Sequence, residues 1–472
     1  MSQVNIYPEL RDIPKNGDFE VKIRASGGEW IMLPVYEVKV DMHQVRKASM
    51  AYFDLEGPVD VEISCRYTHV ETVIMRPLAL GIVPEQNGNA ISFQIDQPTM
   101  LSIEVNDDRF RNLHLFGNAL EINVPSLNDE DVKVIKPGIH RQEWLETDAS
   151  ILYFAPGMHY IEETIVRLPS GKTVYIDGGA AVVGSFVCDN VSDITIRGRG
   201  MIYLADFHRY SAFRGVRIMH SERITIEGIM TIDTPHYSVY VGGSNHVSIQ
   251  GLKSFSTRGW SDGIDIMSSS DIRIDGVFMR NSDDCIAIYG SRLEYRGDSR
   301  RIQVTNSVLW ADVAHPLMIG THGDYDADGD IIEDIRFENI DILEHHEPQP
   351  NYWGAMSINA GDKNIVRNVL YNRIRVESIE MGQLFDIRVV HNPDYNPAPG
   401  KRIEQIVFQN VEFAGGTAHP SRIHGFDEER ALDGVTFINL RIGGKTVNRI
   451  NHHSLSVNDF ARNISFVNED KQ

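Results

Sequence analysis

A short motif recurs along the last two thirds of the chain and leaves few folds open to it. The fragments VYIDG, ITIRG, ITIEG, VSIQG, IRIDG, IQVTN, IRFEN, IVFQN, VTFIN and ISFVN each carry a central apolar residue. These are Ile176, Ile196, Ile226, Ile249, Ile274, Val304, Phe337, Phe408, Phe437 and Phe466. Two residues on stands Gly in the first five (Gly178, Gly198, Gly228, Gly251, Gly276) and Asn in the last five (Asn306, Asn339, Asn410, Asn439, Asn468). The steps run from roughly 20 to 37 residues, with one degenerate unit around Tyr371 filling the gap after Phe337. One strand and one bend per step is what a stacked solenoid of parallel strands requires. Gly and Asn suit the bend because both tolerate positive φ, and stacked asparagines are able to bond side chain to side chain along the ladder.

A second strand accompanies the first. The triplets VRI, VYV, IDI, IAI, LMI, MSI and FDI end at Ile218, Val241, Ile266, Ile288, Ile319, Ile358 and Ile387. Eight residues separate Ile218 from Ile226, Val241 from Ile249 and Ile266 from Ile274. Register kept over three coils predicts an all-β chain whose residues 131–472 form a right-handed parallel β-helix. Residues 1–130 read differently, as short alternating strands (FEVKIRA, WIMLPVYEVKV, VDVEISCRY, AISFQID, MLSIEVN) parted by SGG, EGP and QNGN. Strands at that spacing predict an N-terminal β-sandwich, with the polar stretch SLNDEDVKVIKPG as the connection.

A formal charge of −21 gives long-range attraction the wrong sign for nucleic acid, an anionic membrane or a polyanionic substrate, and leaves a neutral polymer unaffected. Three cysteines, Cys65, Cys188 and Cys285, make neither a disulfide framework nor a metal-ligand pattern. The opening MSQVNIYPELRDIPKNGDFEV has no basic region followed by an apolar one, so the expected location is the cytoplasm. No apolar run approaches the roughly 18 residues that span a bilayer.

The chemistry lies in one column. Four residues before the end of each second strand stand Arg214, Tyr237, Asp262, Asp284, His315, Gly354 and Gln383. Parallel strands stack about 4.8 Å apart. Asp262, Asp284 and His315 are therefore expected on consecutive rungs, with Asp283 beside them. A lone SDG or SDD is commonly turn chemistry. Three carboxyls and an imidazole in register are costly for folding, because like charges repel and one pKa must rise, and such crowding marks an acid/base site. Carboxyls about 6.5–9.5 Å apart suit inverting glycoside hydrolysis with a water between them. Ser-His-Asp, HExxH, CxxC and P-loop patterns are lacking.

The strings PHYSVYVGG, WSDGIDI, NSDDCIAIYGS, AHPLMIGTHG and LFDIRV resemble the polygalacturonase-like β-helix hydrolases of family 28 and, more closely, the family 49 dextranases and isopullulanases, which also carry an N-terminal β-sandwich. The resemblance spans roughly residues 150 to 445. It implies Asp283 as general acid and Asp262 with Asp284 as the pair that activates water, with inversion. His315 falls at the family 28 Gly-His-Gly histidine, but its neighbours are Ala314 and Pro316. Polygalacturonases grip the substrate carboxylate with an Arg-Ile-Lys strand. The corresponding GAMSI has Ser357 there, which favours a neutral α-glucan such as dextran or an isomalto-oligosaccharide over galacturonan.

His315, His236, Tyr237, Trp260, Tyr289, His322, Trp353, Gln383 and Arg388 are the residues expected to line the sugar subsites, with Arg388 equally able to pair with Asp386. Trp310, Tyr325 and Tyr352 also fall in or near loops over the expected cleft, where aromatic faces stack on sugars. No cofactor is expected. The loop DYDADGD (Asp324, Asp326, Asp328, Gly329) resembles the front half of a calcium loop, but its twelfth position is Ile335 and not Glu. The rival readings are a family 28-type exo-hydrolase on pectic or rhamnose-containing oligosaccharides, a β-helix that binds glycan without cleaving it, and a lyase. Three crowded carboxylates speak against mere binding, and the middle of the column holds no basic residue for a lyase.

Overall fold

The computed structural model describes residues 2–416 and 418–469. Thirty-one strands from Val132 onward join in one ladder, coil upon coil, as a right-handed parallel β-helix. Ahead of it, residues 3–119 form a six-stranded and a five-stranded sheet packed face to face.

The expected register holds along the second strand. Ile218 pairs with Val241, and the column continues through Ile266, Ile288, Ile319, Ile358 and Ile387. The marker column runs unbroken from Ile196 through Tyr371 to Phe466. Its first member departs: Val174, not Ile176, pairs with Ile196. Eight of the ten bend residues have positive φ, the exceptions being Gly178 and Asn468. Asn339 donates to Asn306 (2.8 Å), Asn439 to Asn410 (2.9 Å) and Asn410 to Asn372 (3.3 Å), so the amides form the side-chain ladder expected of them.

Each coil holds a further strand that the pattern did not reveal, immediately after the bend: Met201–Tyr203, Met230–Ile232, Lys253–Phe255 and Phe278–Asn281. Its side chains alternate, with an apolar outward face and a lumen side that carries Ile202 and Met279 in some coils and the polar Thr231 and Ser254 in others. Ile202 and Leu252 point into the lumen, while Met201, Tyr203, Met230, Ile232, Phe255 and Phe278 point outward. The outward row is covered by Tyr36, Val38, Val40, Met50, Tyr52 and Phe116 of the six-stranded sheet. Arg46–Glu56 in that sheet is consequently buried on both faces from Ala48 to Leu55, whereas Phe19–Ala25 in the outer sheet alternates. Trp310 lies in this seam, fully buried under Arg280, and not over a cleft.

Buried ion pairs pin the seam: Arg199 to Asp54 (3.0 Å), Arg76 to Glu377 (2.7 Å) and Arg109 to Glu344 (2.9 Å). Arg280, with no exposed surface, bonds Asn112 (2.9 Å) and Asp312 (3.1 Å), and Asp312 also accepts the backbone N–H of Asp41 (3.1 Å). Cys65, Cys188 and Cys285 are free and buried. No helix among the described residues is long and apolar enough to cross a membrane.

The lumen near the C-terminal end is a stack of rings. Phe337, Tyr371, Phe408, Phe437 and Phe466 follow one another at centroid distances of 4.7 to 5.3 Å. Phe408 sits mid-stack without exposed surface. Phe408→Ala is expected to lower stability by about 3–5 kcal/mol, read as a reduced denaturation midpoint in urea.

Candidate active site

The loops between the middle strand and the second strand of successive coils stack as the column predicts. The N–H of Ser238 bonds the carbonyl of Asp262 (2.8 Å), that of Gly263 the carbonyl of Asp284 (2.9 Å), and that of Cys285 the carbonyl of His315 (2.8 Å). Asp262, Asp283 and Asp284 each bring one oxygen to within 4.8 Å of the others. That is closer than the carboxyl separation expected for an inverting pair, but it fits one water: two acceptors bonded to the same oxygen at about 2.8 Å stand about 4.6 Å apart at a tetrahedral angle.

The three carboxyls have different surroundings. Asp284 accepts the N–H of His315 (3.0 Å), its Nδ1 (2.7 Å) and the hydroxyl of Tyr289 (3.3 Å). Asp283 accepts the backbone N–H groups of Trp260 (2.7 Å) and Asp284 (3.0 Å). Burial, and then the charge of Asp284, raise its pKa to about 6. Asp262 is pushed well above the carboxylate range by burial and by Asp265, Asp283 and Asp284. Trp260 presents its N–H to Asp283 from the left-handed region (φ 69°), a cost of the kind concentrated at functional sites.

These groups open on a cleft of about 390 Å³. Tyr237, Trp260, Tyr289 and His322, all expected at subsites, line it, as does Tyr352. His236 stands behind the wall, its ring 4.1 Å from that of Tyr237 and 6.3 Å from Trp260. Four of the expected residues lie elsewhere. His315 is wholly buried, with Nε2 on the carbonyl of Tyr352 (2.6 Å) and Nδ1 on Asp284, so no nitrogen is free for a sugar. Burial would pull its pKa down, but Asp284, Glu347 and the Tyr352 carbonyl outweigh that and hold it at about 9, as a cation. Trp353 stacks on His419 (4.1 Å), Gln383 donates to Pro420 (2.6 Å), and Arg388 pairs with Asp386 (2.7 Å). None of these three borders the cleft. In the acidic loop, Asp324 caps the N–H of Ala327 (3.1 Å) and Asp328 is fully exposed, and the carboxylates of Asp324, Asp326 and Asp328 do not converge as those of the cleft do.

Residues that the sequence reading did not single out complete the site. Met42 reaches the cleft from the sandwich, and Arg209, Arg292, Glu347 and Tyr395 come from loops that carry no periodic signal. Burial raises Glu347 to about 7, against His315. Asp265, on the strand Ile264–Met267, lies fully buried beneath the cleft. Its signal was available, since Ile264 and Ile266 face the lumen and the residue between them must face out. Arg214 stood in the column but was not weighed as a ligand.

Fold and cleft together define a parallel β-helix with three crowded aspartates at the floor of a cleft. Residues 208–458 match glycosyl hydrolases family 28, more than half of the chain, and the protein belongs to that family. It is 26% identical over 246 residues to the probable exopolygalacturonase B of Aspergillus niger (46% of this chain, 53% of that protein) and 24% identical over 217 residues to that of Aspergillus terreus (41% and 47%). The chain thus spans about half the length of the curated relatives it matches. Its fold is similar to that of Dex49A from Penicillium minioluteum, with a TM-score of 0.68 at 14% identity, covering 98% of this chain and 96% of that one. It is also similar to that of the family 28 exopolygalacturonase of Yersinia enterocolitica (TM-score 0.50, 11% identity, 87% and 96% covered).

Asp283→Asn should lower kcat by at least about 100-fold, because the amide keeps the shape and cannot supply the proton. The wild-type rate should fall as pH rises through about 6, where Asp283 loses its proton. A carboxyl whose folded pKa is raised costs stability once pH passes its unfolded value. The variant should therefore melt above wild type at neutral pH, with the difference vanishing below about pH 4. Equal melting curves at neutral pH would contradict the crowding.

Proposed function

We propose that this protein hydrolyses, with inversion, an α-linked glycosidic bond in a uronic-acid-containing oligosaccharide of the pectic type. The observation that carries the reading is a cluster of arginines toward the earlier coils: Arg209 and Arg292 line the cleft, Arg214 stands against Tyr237 of its wall (5.5 Å), and Arg217 lies on the strand Val216–Met219. Arg209, Arg214 and Arg217 are half-buried and form no ion pair among the described residues, while Arg292 beside them faces Asp262 and Asp265. The buried Nε of Arg209, Arg214 and Arg217 has no acceptor. The four lie close enough together that, after burial, their charges hold His236 down at about 3. Unpaired guanidinium groups at half burial are expensive in a protein with 66 acidic residues to pair them. A planar fork that matches a carboxylate is what a uronate would meet there. The exopolygalacturonase names of the Aspergillus relatives support the same reading and favour attack from a chain end.

In the step this geometry supports, water held between Asp262 and Asp284 attacks the anomeric carbon from one face. Its proton passes to a carboxylate, the glycosidic C–O bond breaks on the opposite face, and the leaving oxygen takes the proton of Asp283. A neutral α-glucan is the second reading. It is favoured by Ser357, which occupies the groove floor between Met318 and Asp386 with no basic residue at that rung.

Oligogalacturonides should be cleaved faster than dextran or isomalto-oligosaccharides, and proton NMR in the first minutes should find the new reducing end with the inverted anomer. Arg209→Gln should raise KM for the uronide about tenfold, with a smaller effect on kcat. Efficient cleavage of dextran with no uronide attacked would overturn the substrate, and first product with the substrate's own anomeric configuration would overturn inversion.

A further inference from the structure

We propose that Asp265 shares a single proton with Asp262, and that this pairing makes Asp284 the carboxylate that takes the proton from the attacking water. The inference rests on the hydrolase reading above and adds a residue that the reading does not use.

Asp265 has no exposed surface, and neither of its carboxylate oxygens meets a donor. Asp262, three residues earlier in the chain and also buried, is the carboxyl placed to hydrogen-bond it. Two ionised carboxylates offer each other only lone pairs, and a buried acceptor without a donor is costly. One proton placed between them satisfies an oxygen on each. Burial raises both members of the pair, as such sharing requires.

The charges around the pair agree. Arg292 faces Asp262 and Asp265, His315 stands beyond Asp284 as the second cation, and Asp283 and Asp284 add two more carboxyls. Tyr237 and Tyr289 close the remaining sides as neutral phenols, held so by burial. Glu347 acts from across His315. With Glu347 itself raised to about 7 and protonated below that pH, the four aspartates against two cations are neutral when two further protons remain, one on Asp283 and one in the Asp262–Asp265 pair.

The consequence is a division of labour. Asp262 accepts a hydrogen bond from below, so it is a weak base and serves to orient the water. Asp284 accepts three donors and shares no proton with another carboxyl, so it takes the proton. The water O–H bond breaks toward Asp284, the freed pair on oxygen bonds the anomeric carbon, and the C–O pair leaves with an oxygen that receives the proton of Asp283. Asp265 touches no substrate; it is a positioning residue.

Infrared titration of the full chain tests this. In an Asp283→Asn background, which removes the signal of the acid, a protonated carboxyl band should persist through neutral pH and shift in heavy water. It should disappear from the difference spectrum when Asp265→Asn or Asp262→Asn is added. In the otherwise wild-type enzyme, Asp265→Asn supplies an amide N–H in place of the shared proton and should keep kcat within about tenfold, while Asp265→Ala should lose about 100-fold. A spectrum that Asp265→Asn leaves unchanged, or equal losses in the Asn and Ala variants, would overturn the proposal. The infrared arm needs no substrate, so its failure falls on the shared proton alone. An intact band in a protein that cleaves no glycan would fall on the hydrolase reading instead.

Discussion

Everything in this molecule hangs from the rung-to-rung hydrogen bond of a parallel ladder. The bonds from Gly263 to Asp284 and from Cys285 to His315 bring residues some twenty to thirty positions apart into contact at fixed height. A strand slipped by one residue would turn Asp265 inward and Ile264 outward. The lumen of isoleucines and the stacked phenylalanine rings forbid that slip, so the apolar interior sets the geometry of the carboxylates outside it.

Charge in the cleft is arranged against that scaffold in two zones. Beneath the cleft, carboxyls outnumber the buried cations Arg292 and His315, and protons are held where water would ordinarily strip them. Beside it, guanidinium groups outnumber their partners and the imidazole of His236 is kept neutral. A low-dielectric setting makes both imbalances expensive, and neither is needed to close a coil.

Much of this was legible before any coordinates. The marker column, the second strand, the bend asparagines and the stacked Asp262, Asp284 and His315 all follow from period and spacing. Ile176 was set one pleat out of register because VYIDG matches the later fragments in letters, while its Gly178 bends differently against Tyr7. The middle strand is hard to see because three or four residues are too few for alternation to stand out. Arg46–Glu56 escapes notice because it is buried on both faces, so its polar residues do not alternate. Trp310 was misplaced over the cleft because nothing in its neighbourhood says that another sheet covers it. Met42 belongs to the cleft only through tertiary packing, across a separation that no local pattern spans. His315 was given a sugar to hold because a column position fixes where the backbone goes and leaves open what the ring meets.

The covered seam also gives the chain a direction of assembly. The sandwich leaves the ribosome first, with Tyr36, Val38, Val40, Met50, Tyr52 and Phe116 bare on one face. Coils are then laid against that face in the order they are translated, from Met158 through Phe278 to Leu343, each hiding a strip of it and offering the next an open ladder edge. A nascent solenoid elsewhere would present that edge to any strand in the cell. Here the sandwich precedes the solenoid in the chain, and every coil edge but the last is paired by the next turn.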